Sequence, residues 1–128
     1  MSAKFRNAGQ VCIAANVILV HKDVEHDFVA IMAEKCKMLK FGDPLSNATI
    51  GPIINSRGME KIEEQVSDAI SVGGVIHCGG SKADQYHFEP TIITNVPTDA
   101  QCLQTETFGP VCAIKVRHTG TALIFIFL

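Results

Sequence analysis

Apolar residues recur along this chain at two different intervals. Asn16 to His21 reads Asn-Val-Ile-Leu-Val-His, a continuous apolar block of the kind that forms a buried strand. From Asp23-Val24 onward the spacing becomes helical. Val24, Phe28, Ile31, Met32, Cys36 and Leu39 fall toward one side, and Glu25, Lys35 and Lys37 toward water, until Phe41-Gly42-Asp43-Pro44 stops the helix. Residues 42–54, rich in Gly, Pro, Ser and Asn, read as a loop. A second helix follows, with Met59, Ile62, Val66, Ala69 and Ile70 on one face and Glu60, Glu63, Glu64 and Asp68 on the other, closed by Gly73-Gly74.

Extended segments dominate the remainder. Val75-Ile76-His77-Cys78 is a short strand ended by Gly79-Gly80, and Ser81 to His87 is polar loop. Phe88 to Thr94 is extended again, with Pro90 confined to a strand start or an edge because it has no N–H to donate. Asn95 to Gln104 is a connector, and Val111 to Val116 is the last clear strand. The order of elements is that of an α/β domain, a sheet covered by helices. No internal repeat or low-complexity tract interrupts it.

Residues 118–128 differ in character. They end in Ala122-Leu123-Ile124-Phe125-Ile126-Phe127-Leu128, an apolar run far short of the ~20 residues a bilayer span needs. Left exposed, such a run is prone to aggregate.

Composition narrows the function classes. At 128 residues and 47% hydrophobic the chain is long and apolar enough for one cored domain. Its 11 basic and 13 acidic residues leave no cationic footprint for nucleic acid, and one Tyr with no Trp leaves little for base stacking. Five cysteines, at 12, 36, 78, 102 and 112, are odd in number and show no C-x-x-C spacing. That argues against a disulfide framework or a zinc site and for a reducing, intracellular compartment. The five histidines are scattered as surface or strand-end residues without ligand spacing, so no metal site is expected. Of the other four cysteines, all structural, Cys102 is expected to be the most exposed. The N-terminus lacks the apolar stretch of a signal peptide.

One cysteine stands apart. Cys12 follows Gly9-Gln10-Val11 and precedes Ile13-Ala14-Ala15, small residues that are able to start a helix. A thiol at a helix N-terminus faces unpaired N–H groups and the positive end of the dipole, which favour the nucleophilic thiolate. The plainer alternative is a small buried hydrophobe.

Two motifs decide between these readings. Phe5-x-Asn7-x-Gly9-Gln10-x-Cys12 resembles the nucleophile motif of the aldehyde dehydrogenase superfamily. Glu106-Thr107-Phe108-Gly109-Pro110 resembles its second signature, in family order and at a family-like separation. The resemblance covers residues 1–117, which read as part of the catalytic domain, and leaves 118–128 as a non-family apolar tail from a truncated or mis-spliced frame. Sequencing the transcript checks this origin: a verified messenger ending after Leu128 would remove it.

The resemblance implies an enzyme that oxidises a small-molecule aldehyde with NAD or NADP. Cys12 is then the nucleophile, and its own backbone N–H one oxyanion donor. Glu106 holds the nicotinamide ribose hydroxyls and Phe108 packs by the nicotinamide. Both roles suit the groups: a carboxylate accepts paired hydroxyl bonds, and a ring face positions a planar heterocycle. The alternative for these two is a solvated glutamate and a core phenylalanine. Lys4-Phe5-Arg6-Asn7 resembles the succinate-semialdehyde branch, in which Arg6 grips the distal carboxylate as a bidentate fork, rather than serving as a plain surface arginine. Ala14 stands where some members of that branch carry a second cysteine, which removes a disulfide switch with Cys12; Val17 stands where a polar residue is frequent.

The family's general base (a glutamate in Glu-Leu-Gly-Gly), its asparagine oxyanion donor and its dinucleotide unit have no counterpart in these residues. Gly73-Gly74 and Gly79-Gly80 do not supply G-x-G-x-x-G after a strand. The isolated chain is therefore expected to be inactive. The alternative to catalysis is a non-catalytic interaction module of a homo-oligomeric parent. A different thiol acyl-transfer enzyme would need a histidine partner, and no histidine stands in a telling context. The resemblance implies a cytoplasmic or mitochondrial protein with no membrane or nucleic-acid partner.

Overall fold

The computed structural model describes residues 1–43, 45–119 and 124–127, the last as backbone. A one-turn helix α1 (Ser2–Phe5) and a 3-10 turn (Arg6–Gly9) lead through residues 10–16 into β1 (Val17–His21). Helix α2 (Lys22–Lys37) starts directly after the strand. His21 makes this possible: its Nδ1 accepts the Asp23 N–H at 3.3 Å and caps the first turn. Asp23 and Glu25 in the first turn, with Lys35 and Lys37 in the last, match the helix dipole.

Helix α3 (Ser56–Ser71) is capped by Asn55, whose side chain accepts the Gly58 N–H at 2.8 Å. It ends where Gly73 turns left-handed (φ +100°) and Gly74 donates to the Ala69 carbonyl at 2.7 Å. Strands β2 (Val75–Cys78) and β3 (Thr91–Thr94), a one-turn helix α4 (Gln101–Gln104), β4 (Val111–Arg117) and β5 (Ile124–Phe127) complete the chain.

The strands form one five-stranded sheet in the order β2-β3-β4-β1-β5. Its centre is parallel: β1 pairs with β4, and β4 with β3, while β2 and β5 run antiparallel at the edges. All four residues of β3 are buried, as are the first four of β4, so both faces of the sheet are covered there. This is the α/β architecture expected, with β2 falling on its predicted residues. Pro90 sits immediately before β3, where the missing donor does no harm.

The differences have local causes. Inward positions on α2 are Val29, Met32 and Cys36, and the 100° step per residue leaves Ile31 56% exposed. Ile70 on α3 is likewise 48% exposed, while Gln65 takes an inward place. The 95–104 connector contains α4, which buries Cys102 to 1% exposure, so the expectation of an exposed Cys102 is wrong. Among the histidines His21 is buried at its strand end, and His87 is partly covered and paired to Asp84. The apolar run after residue 118 contributes a strand that was not anticipated. Its backbone pairs with β1 from Val17↔Phe127 to Val20↔Ile124, satisfying an edge that would otherwise present free N–H and C=O groups.

Candidate active site

After Phe5 the backbone turns left-handed three times in succession, at Asn7 (φ 52°), Ala8 (φ 55°) and Gly9 (φ 73°). Glycine and asparagine adopt this region readily; Ala8 is strained there. Burial of Ala8 and a Gln10 N–H to Asn7 carbonyl bond of 3.1 Å hold the arrangement. The result is a backbone-to-backbone contact. A Cβ on Gly9 would lie 2.6 Å from the Gly109 carbonyl carbon and 3.1 Å from the Lys4 carbonyl oxygen. Gly109 in turn rests on Ile62 of α3, where a Cβ would meet the side chain at 2.5 Å. Two glycines distant in sequence thus bring the Cys12 loop against the Glu106–Phe108 loop.

Cys12 itself is exposed, in a turn closed by the Ala14 N–H to Val11 carbonyl bond of 2.9 Å. No helix begins there. Ala15 donates to the Ala3 carbonyl at 2.8 Å, so the small residues fold back onto α1 instead of winding forward. The helix-terminus argument for a thiolate at Cys12 therefore does not hold.

Gln10 clamps the loop from the other side. Its Nε2 donates to the Pro52 carbonyl at 3.0 Å and the Asn7 carbonyl at 3.2 Å, while its Oε1 accepts the Ile54 N–H at 2.9 Å. Pattern reading had no means of finding this role, because two of the three bonds span more than forty residues. Gln10→Ala is expected to destabilise the chain by about 1 kcal/mol, since its three hydrogen bonds are exposed and water competes for their partners. Urea unfolding measures this, and a change within experimental error would show that water replaces the clamp.

The second loop is built from α3. Gln65, 1% exposed, donates through Nε2 to Thr105 Oγ1 at 2.8 Å, and Asp68 accepts the Gln101 N–H at 2.8 Å. Thr107 points inward; Glu106 and Phe108 point out, and Phe108 is held at φ 52°. Thr91 donates to the Pro110 carbonyl at 2.8 Å, tying the loop to β3.

Two cavities flank the first loop. One, of about 290 Å³, is lined by Arg6, Ser2, Ala3 and the residues around Cys12, namely Val11, Ile13 and Ala14. The other, of about 630 Å³, is lined by Asn7, Gln10, Pro52, Ile54, His87 and Phe108 among others. Arg6 and Phe108 thus line separate cavities, both bordered by residues of the 6–14 stretch, and Cys12 itself lines neither. Glu106 is exposed and lines neither cavity.

Beneath the loops lies a buried lysine. Lys4 is 2% exposed and its Nζ has no hydrogen-bond partner among the described residues. Burial pushes its ammonium down to about 8, against the opposing influence of Cys112 and the Glu106 carboxylate. Burial pushes the Cys102 thiol up to about 11 and the Cys112 thiol up to about 12, which suits inert structural thiols. Among the described residues no cluster of His, Cys, Asp and Glu has the form of a metal site, and no helix is long and apolar enough to cross a membrane.

A sequence model of the aldehyde dehydrogenase family matches residues 1–125. The chain belongs to the aldehyde dehydrogenase family. Among similar aldehyde dehydrogenases, the mitochondrial succinate-semialdehyde dehydrogenase of Mus musculus is 40% identical over 118 residues, 89% of this chain and 23% of that protein. Succinate-semialdehyde dehydrogenase [NADP(+)] 2 of Schizosaccharomyces pombe is 39% identical over 115 residues, 87% of this chain and 23% of that protein. A solved structure of succinate-semialdehyde dehydrogenase from Burkholderia pseudomallei superposes with a TM-score of 0.90 at 33% identity, covering 92% of this chain and 25% of that one. The chain spans about a quarter of the length of the relatives it matches.

Proposed function

We propose that this chain is the nucleophile-bearing part of an NAD(P)-dependent aldehyde dehydrogenase that converts succinate semialdehyde to succinate in 4-aminobutyrate breakdown. The observation that carries the reading is the Gly9–Gly109 contact, which brings the Cys12 and Phe108 loops together, with one cavity lined by Arg6 and another by Phe108. The similarity to succinate-semialdehyde dehydrogenases supports the choice of substrate.

In this reading the Arg6 cavity takes the aldehyde. The Arg6 guanidinium forks onto the distal carboxylate and so points the carbonyl carbon toward the Cys12 turn. The Cys12 sulfur attacks that carbon, and the Cys12 backbone N–H donates to the oxyanion that forms. Loss of hydride from this adduct would leave a thioester, which water hydrolyses to release the acid and free the Cys12 thiol.

The Phe108 cavity suits the nicotinamide end of NAD or NADP. It is roomy at about 630 Å³ and is lined by the Phe108 ring, and the exposed Glu106 carboxylate stands outside that lining, two residues earlier in the same loop. Bound there, NAD or NADP would supply the acceptor for the hydride. Gln10, through its three hydrogen bonds, ties the Cys12 loop to Pro52 and Ile54.

The test uses the longer protein to which this segment belongs, with the base and dinucleotide unit present. Arg6→Ala is expected to raise KM for succinate semialdehyde by roughly 100-fold, the value of a charge-assisted bidentate pair, and to leave KM for an uncharged aldehyde within a few-fold. Equal effects on both substrates would remove Arg6 from the carboxylate role. A second reading, a non-catalytic module that docks on subunits of a homo-oligomer, is favoured for the isolated chain by the missing base and dinucleotide unit. Incubation of the 128-residue chain with NAD⁺ and the semialdehyde is expected to yield no NADH; steady NADH formation would overturn this reading.

A further inference from the structure

Away from the catalytic loops, two thiols meet. Cys36 lies on the last turn of α2, 3% exposed, and Cys78 is the final residue of β2, half-buried. Both side chains line one cavity of about 210 Å³, together with Lys37, Phe41, Glu89 and Pro90. Backbone irregularity aims them. The β2–β3 register shifts between Ile76↔Ile93 and Cys78↔Ile92, a bulge that redirects the Cys78 side chain. Gly79 follows at φ 66° against the Pro90 carbonyl, and Cys78 donates to that same carbonyl at 3.5 Å.

We propose that Cys36 and Cys78 are a paired-thiol modification site, in which Cys78 is oxidised by a small peroxide and Cys36 closes an intramolecular disulfide. Geometry assigns the order: Cys78 is the more accessible, and Cys36 is buried behind it. The thiol environments agree, because the Cys36 hydrogen bond holds the Cys78 thiol below the usual range, whereas that contact and burial push Cys36 up.

The steps balance. The Cys78 sulfur attacks one peroxide oxygen, the O–O bond breaks, and a sulfenic acid and water result. The Cys36 sulfur then attacks the Cys78 sulfur, the S–O bond breaks, and the hydroxyl leaves as water with the Cys36 proton. Two thiols are oxidised and one peroxide is reduced to two waters. The bond staples the end of α2 to the edge of the sheet and closes a loop of roughly forty residues, so melting is expected to rise by roughly 10 °C.

The experiment uses the reduced 128-residue chain carrying Cys12→Ser, which removes the exposed thiol that would otherwise compete. After treatment with hydrogen peroxide the chain is unfolded, alkylated and digested without reductant. The expected product is a Cys36–Cys78 linked peptide, lighter by two hydrogens than the separate peptides and resolved by dithiothreitol. With Cys36→Ser added, Cys78 is expected to stop at the sulfenic acid and take up dimedone. Recovery of both cysteines alkylated after peroxide overturns the proposal, as does linkage of either one to Cys102 or Cys112 instead. Mapping with the Cys36 thiol intact decides the matter even if the additional variant fails to fold.

Discussion

Replacing Gly9 by alanine is expected to destabilise the chain by roughly 4 kcal/mol, a fall in melting temperature of roughly 15 °C. Two costs combine. The residue sits at φ 73°, where a side chain costs about 1 to 2 kcal/mol. The added methyl also overlaps the Gly109 backbone and crowds the Lys4 carbonyl, and neither neighbour has a side chain that is free to swing aside. Displacing packed backbone costs a further ~1 to 3 kcal/mol. Gly73 provides the control. It is left-handed too, at φ 100°, but nothing lies within 4 Å of its missing Cβ. Gly73→Ala is therefore expected to lose only the conformational part, about 1 kcal/mol. Equal losses for the two variants would mean that the Gly9–Gly109 approach yields without cost. On the proposed function, Gly9→Ala placed in a full-length aldehyde dehydrogenase carrying this segment is expected to lower turnover as well, since the Cys12 and Phe108 loops would part.

Lys4→Met is expected to stabilise the chain at pH 7 by on the order of 3 kcal/mol, and the gain is expected to shrink as pH rises. The folded-state value of about 8 lies below the 10.5 of the free side chain. Between those values the unfolded chain binds more protons, so stability of the natural chain rises with pH across this window. Below pH 8 the buried ammonium carries its full desolvation cost, with no hydrogen bond to Nζ among the described residues to offset it. Methionine matches the length of the side chain without the charge. Cysteines 36, 102 and 112 act in the opposite sense. Burial contributes to the upward shift of all three thiols, so the folded chain keeps their protons above pH 9 and stability falls there. The difference between Lys4→Met and the natural chain largely removes that common background. Denaturant titrations at pH 7, 8.5 and 10 measure it, and a difference that stays constant over the range would show that Lys4 is not held as a buried ammonium.

Lys4 also illustrates what a linear reading misses. In the run Lys4-Phe5-Arg6 the two cations look equivalent, yet one is 2% exposed and the other lies at the surface beside the Cys12 turn. Only the fold of α1 against β4 separates them. Cys102 misled in the opposite sense. Its place in the 95–104 connector suggested exposure, but residues 101–104 form α4, whose Gln101 N–H is accepted by Asp68, and Cys102 lies on its buried side. Cys12 kept its candidate role while losing the first argument for it, because the backbone turns at residues 11–14 where small side chains had implied a helix.

Short-range patterns determined the elements. The apolar block at 17–20, the helical stripes of α2 and α3, the Gly73-Gly74 stop and the position of Pro90 act through neighbours a few residues apart, and such preferences are written locally. The two motifs likewise named the family, since residue types and spacing are properties of the chain itself. The tertiary structure decided what stands next to what. The Gly9–Gly109 approach, the Gln10 clamp on Pro52 and Ile54, the buried Lys4 and the cavity shared by Cys36 and Cys78 all join residues far apart in sequence. Each depends on the packing of whole elements against the sheet, and no local preference records which distant backbone will come within a methyl group's width of another.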